Sequence, residues 1–138
     1  MKENIAFNYF YHLLKQGGFF WTDVKIQKML FIAHIYSLVK YDEPLFKKPF
    51  QAKKQGPVIP FNKNARYQEI DDQNIGSKKE ILDKVFDLFK DANEIGLVEL
   101  INCLDSWKEN EKHPNLVCNE KLRKEAVELN FLGLIGLL

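Results

Sequence analysis

Histidines and cysteines are the residue types in this chain with the clearest capacity for catalysis or metal binding. Cys103, His113 and Cys118 form the one set that resembles a soft-metal site. A structural zinc site takes four ligands, and no fourth candidate lies at a suitable spacing. His12 and His34 fall in helix-like patterns, where a histidine near the core is more commonly hydrogen-bonded than used as a base. We therefore predict no metal site, no cofactor and no catalytic residue.

Known catalytic motifs are missing from the sequence as well. It contains no glycine-rich phosphate loop, no nucleophile-elbow motif, no His-Glu-x-x-His and no Cys-x-x-Cys. Two cysteines in 138 residues argue against a disulfide-stabilised secreted protein, so a reduced, cytoplasmic location is the simpler interpretation. No stretch approaches the roughly 18 apolar residues of a membrane span. These features favour a binding protein that is not an enzyme.

Charge is divided unevenly along the chain, although the net charge is only +1. Residues 1–68 carry eleven Lys and Arg against four Asp and Glu, a balance of +7, whereas residues 69–138 carry nine against fifteen, a balance of −6. No acid lies between Glu43 and Glu69, and six basic residues do: Lys47, Lys48, Lys53, Lys54, Lys63 and Arg66. Such a division suits self-complementary packing or an acidic partner.

The basic arm over residues 47–66 leaves two further interpretations open. Phe50, Phe61 and Tyr67 lie among its lysines, a composition that can hold single-stranded nucleic acid through phosphate contacts and base stacking. The sequence pI of about 7.7 is lower than that of most nucleic-acid-binding domains. A solvated basic loop that binds nothing is the other interpretation.

Two helices are predicted in the first 41 residues. Apolar residues at helical spacing predict the first over residues 4–16, ended by Gly17-Gly18. Thr22 is a good N-cap for a second helix that runs to about Tyr41. The second helix is apolar on two faces, which is typical of a buried helix with neighbours on both sides. Its polar residues are confined to narrow arcs, the main one lined by Asp23, Gln27 and His34.

Prolines exclude a continuous helix over residues 42–61 and predict an extended arm laid over the core. Within it, a small β element can form around residues 44–56. Gly56-Pro57 is expected to make a turn, with Pro57 at the start of a new helix, and residues 62–76 are expected to form an exposed loop.

The second half of the chain is predicted to be helical. Ser77-Lys78-Lys79-Glu80 has the pattern of a capping box before one helix, and Asp91-Ala92-Asn93-Glu94 precedes another that runs through Leu104. A short helix at residues 105–108, ended before Pro114, and a last helix capped by Asn119 complete the pattern. Without a repeat or a linker, residues 1–138 are predicted to form a single compact, mainly α domain around the buried second helix.

Three blocks of this sequence, taken in order, resemble the Panacea domain, an antitoxin family that includes SocA-like and phage-associated proteins. The first is Lys25-Ile26-Gln27-Lys28-Met29-Leu30-Phe31. The second comprises Pro44-Leu45-Phe46, Phe50-Gln51-Ala52 and Gly56-Pro57-Val58-Ile59-Pro60, and the third runs from Leu97 to Leu104 and on to Trp107-Lys108. Together they cover roughly residues 5–130. Lys53 and Gln55 stand where the family usually has aromatic residues, so partner specificity is not carried over.

The resemblance implies a small, α-rich domain that binds and neutralises a toxin, in one branch of the family as an adaptor that delivers the toxin to a bacterial protease. The alternative is a nucleic-acid-associated phage or mobile-element protein that uses the basic arm. The partner-binding residues implied by the family blocks are Lys25, Gln27, Lys28, Phe31, Lys53, Lys54, Gln55, Gly56, Pro57, Val58 and Trp107. Lys25 and Lys28 could instead lie on solvated arcs of a core helix, and Trp107 could be a core residue with its N–H satisfied.

Overall fold

A computed structural model of the protein describes residues 1–68, 70, 75–108 and 116–137. These residues are mainly α-helical, as predicted, with one small antiparallel sheet. The elements are α1 (Glu3–Gln16), α2 (Asp23–Tyr41), β1 (Gln51–Lys53), β2 (Gly56–Val58), α3 (Lys79–Phe89), α4 (Glu94–Asn102), α5 (Asn119–Glu128) and α6 (Phe131–Ile135). Short 3₁₀ turns lie at Lys63–Ala65 and Gly76–Lys78. None of the described helices combines the length and the apolar composition needed to span a membrane.

The centre of the fold is α2, as the sequence predicts. Its N-cap is Thr22, whose hydroxyl accepts a hydrogen bond from the backbone N–H of Lys25 at 3.0 Å. Residues 25–38 are all buried, and the helix contacts α1, α3, α4, α5 and β2. The predicted polar arc is wrong, because the side chains of Gln27 and His34 are buried as well. Neighbouring elements surround the helix and leave it no solvated face.

The extended arm includes a β-hairpin, in which β1 pairs with β2. Lys53 lies opposite Gly56, so the two-residue turn is Lys54-Gln55 and the predicted turn at Gly56-Pro57 is wrong. Pro57 lies within β2 opposite Ala52 and does not start a helix. A proline is tolerated there because a two-stranded sheet has only edge strands, in which one row of N–H groups is not needed for pairing.

A single hydrophobic cluster joins the helices to the arm. It contains core residues from every described α-helix, together with Leu45, Phe46 and Phe50 from the arm. The backbone N–H of Val117 donates to the Phe50 carbonyl at 2.8 Å, which links the arm to the chain just before α5. The arm is therefore part of the core.

Some predicted helix boundaries are wrong even where the helices exist. α3 follows a 3₁₀ turn, and its N-cap position, Lys78, makes no side-chain capping bond, so the capping box at Ser77 does not form. Cys118, not Asn119, is the N-cap position of α5. That helix is also not the last, because α6 follows it.

Other boundaries and elements agree with the sequence, differ from it or lie outside the described residues. Asn93 caps α4 by accepting a hydrogen bond from the Gly96 N–H at 2.8 Å. The short helix predicted at residues 105–108 is wrong for residues 105–107, which form a turn in which the Lys108 N–H donates to the Asp105 carbonyl. Pro114 and part of the predicted loop at residues 62–76 are outside the residues that the structure describes.

Candidate functional site

The residues implied by the family blocks divide into a buried group and an exposed group. The buried members are Lys25, Gln27, Lys28, Phe31, Gly56, Pro57 and Trp107. The exposed members are Lys53, Lys54 and Gln55, at the end of the hairpin, with Val58 half-buried beside them. We call Lys53, Lys54 and Gln55 the hairpin tip. The buried residues do not form surface, so their role here is to hold the elements that do.

Lys25 is a buried structural cation rather than a solvated one. Its ammonium Nζ donates to the Phe20 carbonyl at 3.0 Å and to the Lys90 carbonyl at 2.8 Å. Burial lowers the pKa of its ammonium, and the nearby Asp91 carboxylate partly opposes that effect. These bonds tie the connector before α2 to the end of α3.

Gln27 fixes the hairpin on α2 through two hydrogen bonds to one residue. Its amide Nε2 donates to the Ile59 carbonyl at 3.1 Å, and its Oε1 accepts from the Ile59 N–H at 2.9 Å. Ile59 directly follows β2 and is fully buried. Because both backbone groups are away from water, the Gln27 amide supplies the pairing that a third strand would otherwise give.

Lys28 lies one turn from Lys25 on the same helix, but its ammonium is poorly paired. Its side chain is 1% exposed, and its one hydrogen bond among the described residues reaches the Pro57 carbonyl at 3.5 Å. Burial lowers the pKa of Lys28 to about 8, with the Glu94 carboxylate opposing the shift. A Cβ at Gly56 would lie 2.6 Å from the Lys28 Nζ, and Gly56 has φ +117°. The positive φ favours glycine at this position, and any side chain there would also displace the end of the Lys28 side chain.

A small cavity of about 150 Å³ lies between α2 and the hairpin. It is lined by Asp23, Val24, Gln27, Lys28, Gln55, Val58 and Arg66, and we call it the α2–hairpin cavity. Arg66 Nη1 donates to Asp23 Oδ2 at 2.6 Å, and the Tyr67 hydroxyl donates to Asp23 Oδ1 at 2.6 Å. The Nε of Arg66 is buried and has no hydrogen-bond partner among the described residues.

Sequence reasoning missed Arg66 and Asp23 as members of this site. Arg66 lies in the stretch between Glu43 and Glu69 that contains basic residues and no acid, which indicates a charged surface. No local pattern indicates that its side chain contacts α2. Asn8 in α1 holds its segment in place: the Asn8 amide donates to the Ala65 carbonyl at 2.7 Å and accepts from the Gln68 N–H at 3.2 Å.

Comparison with known families gives a match to a part of the chain that supplies five of the seven residues lining this cavity. Residues 26–79 match the model of the antitoxin SocA-like Panacea domain. The predicted resemblance is thereby confirmed for this segment, which we call the Panacea segment. It runs from α2 through the hairpin to the start of α3. No curated protein and no solved structure matches the chain.

The Panacea match supports an antitoxin-type role and implies, in general terms, a toxin as partner. It also suggests a role without catalysis. Gln27, Lys28, Gly56, Pro57 and Arg66, which contact one another or line the same cavity, all belong to the Panacea segment. Lys25 and Trp107 lie outside it. Trp107 is 3% exposed, and its indole N–H donates to the Ile101 carbonyl at 3.0 Å, which confirms the core alternative for this residue.

None of the described residues considered for metal binding or catalysis lines the α2–hairpin cavity. Cys103 and Cys118 are exposed free thiols, and His113 lies outside the described residues. Among the residues that are described, no three His, Cys, Asp or Glu side chains are placed to hold a metal ion. His34 is buried and bonded to Asn119, as expected, but His12 is exposed on α1, so the core position expected for it is wrong.

The aromatic residues of the basic arm are not placed for stacking on bases. Phe50 is 1% exposed, and its ring packs against Phe31 with 5.0 Å between the centroids. Phe61 is half-buried against Phe7, with 5.1 Å between the centroids. Tyr67 is 47% exposed, but its hydroxyl is bonded to Asp23 and its ring packs against Tyr11 and Trp21, with 5.0 and 5.7 Å between the centroids. The arm therefore presents mainly lysines, which weakens the nucleic-acid interpretation.

Proposed function

We propose that this chain is a non-catalytic antitoxin that binds a protein toxin and neutralises it by covering its active surface. The observation that carries the proposal is that the Panacea segment presents the hairpin tip, Lys53, Lys54 and Gln55, on a support of buried side chains. Gln27 holds the base of the hairpin, and Lys28 lies against Gly56 and Pro57. A binding surface that is already ordered in the free protein loses little conformational entropy when a partner binds.

Charge defines the kind of toxin surface that this face would fit. Five lysines of the arm are exposed, and none forms an ion pair with a described residue: Lys47, Lys48, Lys53, Lys54 and Lys63. Unpaired cations on one arm attract an acidic surface and accelerate encounter with it. We therefore propose an acidic patch on the toxin as the counterpart of the hairpin tip.

We further propose that residues 1–138 act as one cytoplasmic Panacea-like domain. The single hydrophobic cluster, with members from Ala6 to Leu132, supports this organisation. Delivery of the toxin to a protease is the alternative mode of neutralisation. The two modes differ in a purified system, because occlusion inhibits the toxin without a protease and delivery does not.

A toxicity rescue tests the proposed function directly. Each open reading frame next to this gene is expressed alone in a bacterial host and then together with this chain. We expect one neighbour to arrest growth and this chain to restore it, with the two proteins co-purifying as a complex. If no neighbour is toxic, or if a toxic neighbour is not rescued, the antitoxin assignment is wrong.

Charge reversal at the hairpin tip should weaken the complex. We expect Lys53→Glu/Lys54→Glu to reduce toxin affinity by about tenfold or more at low salt, mainly through slower association, because like charges then face each other. Affinity and association rate can be measured by surface plasmon resonance at two salt concentrations. Lys121→Glu/Lys124→Glu on α5 is the matched control, since both lysines are exposed and the change in net charge is the same. Equal affinity of the tip variant and the wild type would exclude the tip as the contact.

A further inference from the structure

We infer that the α2–hairpin cavity receives one carboxylate, from an acidic side chain of the toxin, between the Lys28 ammonium and the Arg66 Nε–H. The inference rests on the proposed function and adds a specific anchor to it. It concerns a buried site next to the hairpin tip, and Arg66 is not among the residues that the family blocks imply.

The first argument is the unfilled bonding capacity of Lys28. An ammonium has three N–H donors, and the one hydrogen bond described for Lys28 Nζ goes to the Pro57 carbonyl at 3.5 Å, the outer limit of a hydrogen bond. Lys25, on the same helix, has two carbonyl acceptors at 3.0 Å or less. The fold can therefore give a buried lysine two close acceptors, and it leaves Lys28 with one distant acceptor beside a cavity.

The second argument is that Arg66, which lines the same cavity, also has an unpaired donor. Its Nη1 is engaged by Asp23, but its buried Nε–H has no described partner. Both oxygens of Asp23, the acid that lines the cavity, are already bonded, one to Arg66 and one to Tyr67. Glu94, which attracts Lys28, accepts a bond from the Thr22 hydroxyl. The cavity thus has two cations with unused donors and an acid whose oxygens are both engaged.

Size and lining favour a carboxylate on a short stem. About 150 Å³ is well below the roughly 300–1,000 Å³ of pockets that bind drug-sized ligands. Val24 and Val58 supply apolar wall for the methylene groups, and the exposed Gln55 stands at the opening. A nucleotide is too large to enter, and the aromatic residues nearby are not placed to stack its base. An Asp or Glu side chain from a protein is therefore favoured over a nucleic-acid phosphate.

Acetate is the probe for the first test, because it carries the same carboxylate. In ¹H–¹⁵N spectra of the whole chain at constant ionic strength, we expect acetate to shift the Arg66 Nε–H signal and the Gln55 and Val58 amides saturably, with a Kd in the millimolar range. Lys28→Met should abolish the shifts, whereas Lys121→Met, the same change on exposed α5, should leave them. If acetate produces no saturable shift at Arg66, or if Lys28→Met retains the shifts, the inference is wrong.

A single-stranded oligothymidylate is the second probe, for the competing class of macromolecule. We expect it to leave the Arg66 Nε–H signal unchanged. Shifts of that signal that weaken steeply with salt would overturn the inference in favour of nucleic acid.

The toxin itself gives the third test. We expect Lys28→Met to raise the Tm by about 5 °C, because removing an underpaired buried charge relieves its desolvation, and to weaken toxin binding by about 30-fold or more. Arg66→Lys keeps the positive charge and removes the Nε–H, and it should weaken binding as well. Unchanged toxin affinity in both variants overturns the inference while leaving the antitoxin role intact. A response to acetate without any toxic neighbour supports the carboxylate cavity and overturns the toxin as its source.

Discussion

We expect Gln27→Met to lower the free energy of unfolding by about 3 kcal/mol, although methionine has nearly the same size and shape as glutamine. The cost arises from Ile59, because its buried N–H and C=O both lose their partner, and each unpaired buried group costs roughly 1–3 kcal/mol. Loss of shape contributes little, since the unbranched thioether fills the same space. The measurement is urea unfolding followed by circular dichroism.

Gln55→Met is the matched control for this prediction. It makes the same chemical change in the same hairpin, but Gln55 is exposed, so we expect a change within about 0.5 kcal/mol. Hydrogen exchange at the Ile59 amide should also be faster in Gln27→Met than in wild type, because the bond that protects it is lost. Equal stability of the two variants would show that the paired bonds to Ile59 do not hold the hairpin.

The sequence predicts α2 well because the signals for this helix are local. Thr22 as N-cap and apolar residues on two faces are sufficient to place a buried helix from Asp23 to about Tyr41. The roles of its polar residues depend on partners that are far away in the sequence. The Lys90 carbonyl that accepts from Lys25 is 65 residues away, and Ile59 is 32 residues from Gln27. The periodicity of the sequence cannot show that a lysine on such a helix donates a hydrogen bond to a carbonyl of a distant element.

The hairpin and the cavity likewise depend on contacts between residues that are far apart in the sequence. Gly56-Pro57 fits a turn locally, but the pairing of Ala52 with Pro57 and the bonds from Gln27 to Ile59 place both residues in a strand. Arg66 reaches the cavity through its bond to Asp23, 43 residues earlier in the chain. Contacts between distant segments therefore decide both the strand and the site, and a single sequence does not encode them as a pattern.

The first two family blocks contact each other and form one structural unit. Gln27 from the first block pairs with Ile59 from the second, and the end of the Lys28 side chain lies against Gly56. These contacts within the Panacea segment attach the hairpin to α2.

We also expect a large loss of folding stability at acidic pH, caused by protonation of His34. Its Nε2 is bonded to Asn119 Oδ1 at 2.8 Å, its Nδ1 has no partner among the described residues, and its ring stacks on Phe46 with 5.8 Å between centroids. Burial lowers the pKa of His34 from 6.5 to about 4, whereas the bond to Asn119 opposes the shift. Because the unfolded chain takes up this proton first, stability is fully present above about pH 6.5 and falls as the pH drops toward 4. The loss from this group reaches about 3 kcal/mol and does not grow below pH 4.

The measurement is urea unfolding between pH 7 and 4, made on wild type, His34→Gln and His12→Gln. The comparison distinguishes the effect of His34 on stability from the effect of the carboxylates that also titrate in this range. His34→Gln stays neutral and can still donate a hydrogen bond to Asn119, so its stability should depend on pH less steeply than that of wild type, by up to about 3 kcal/mol over the range. His12→Gln, on the exposed side of α1, should follow the wild-type curve. Parallel curves for wild type and His34→Gln would mean that His34 titrates normally in the folded protein. In that case the ring is not sealed between α2, the arm and α5, as its contacts with Phe46, Phe50 and Asn119 require.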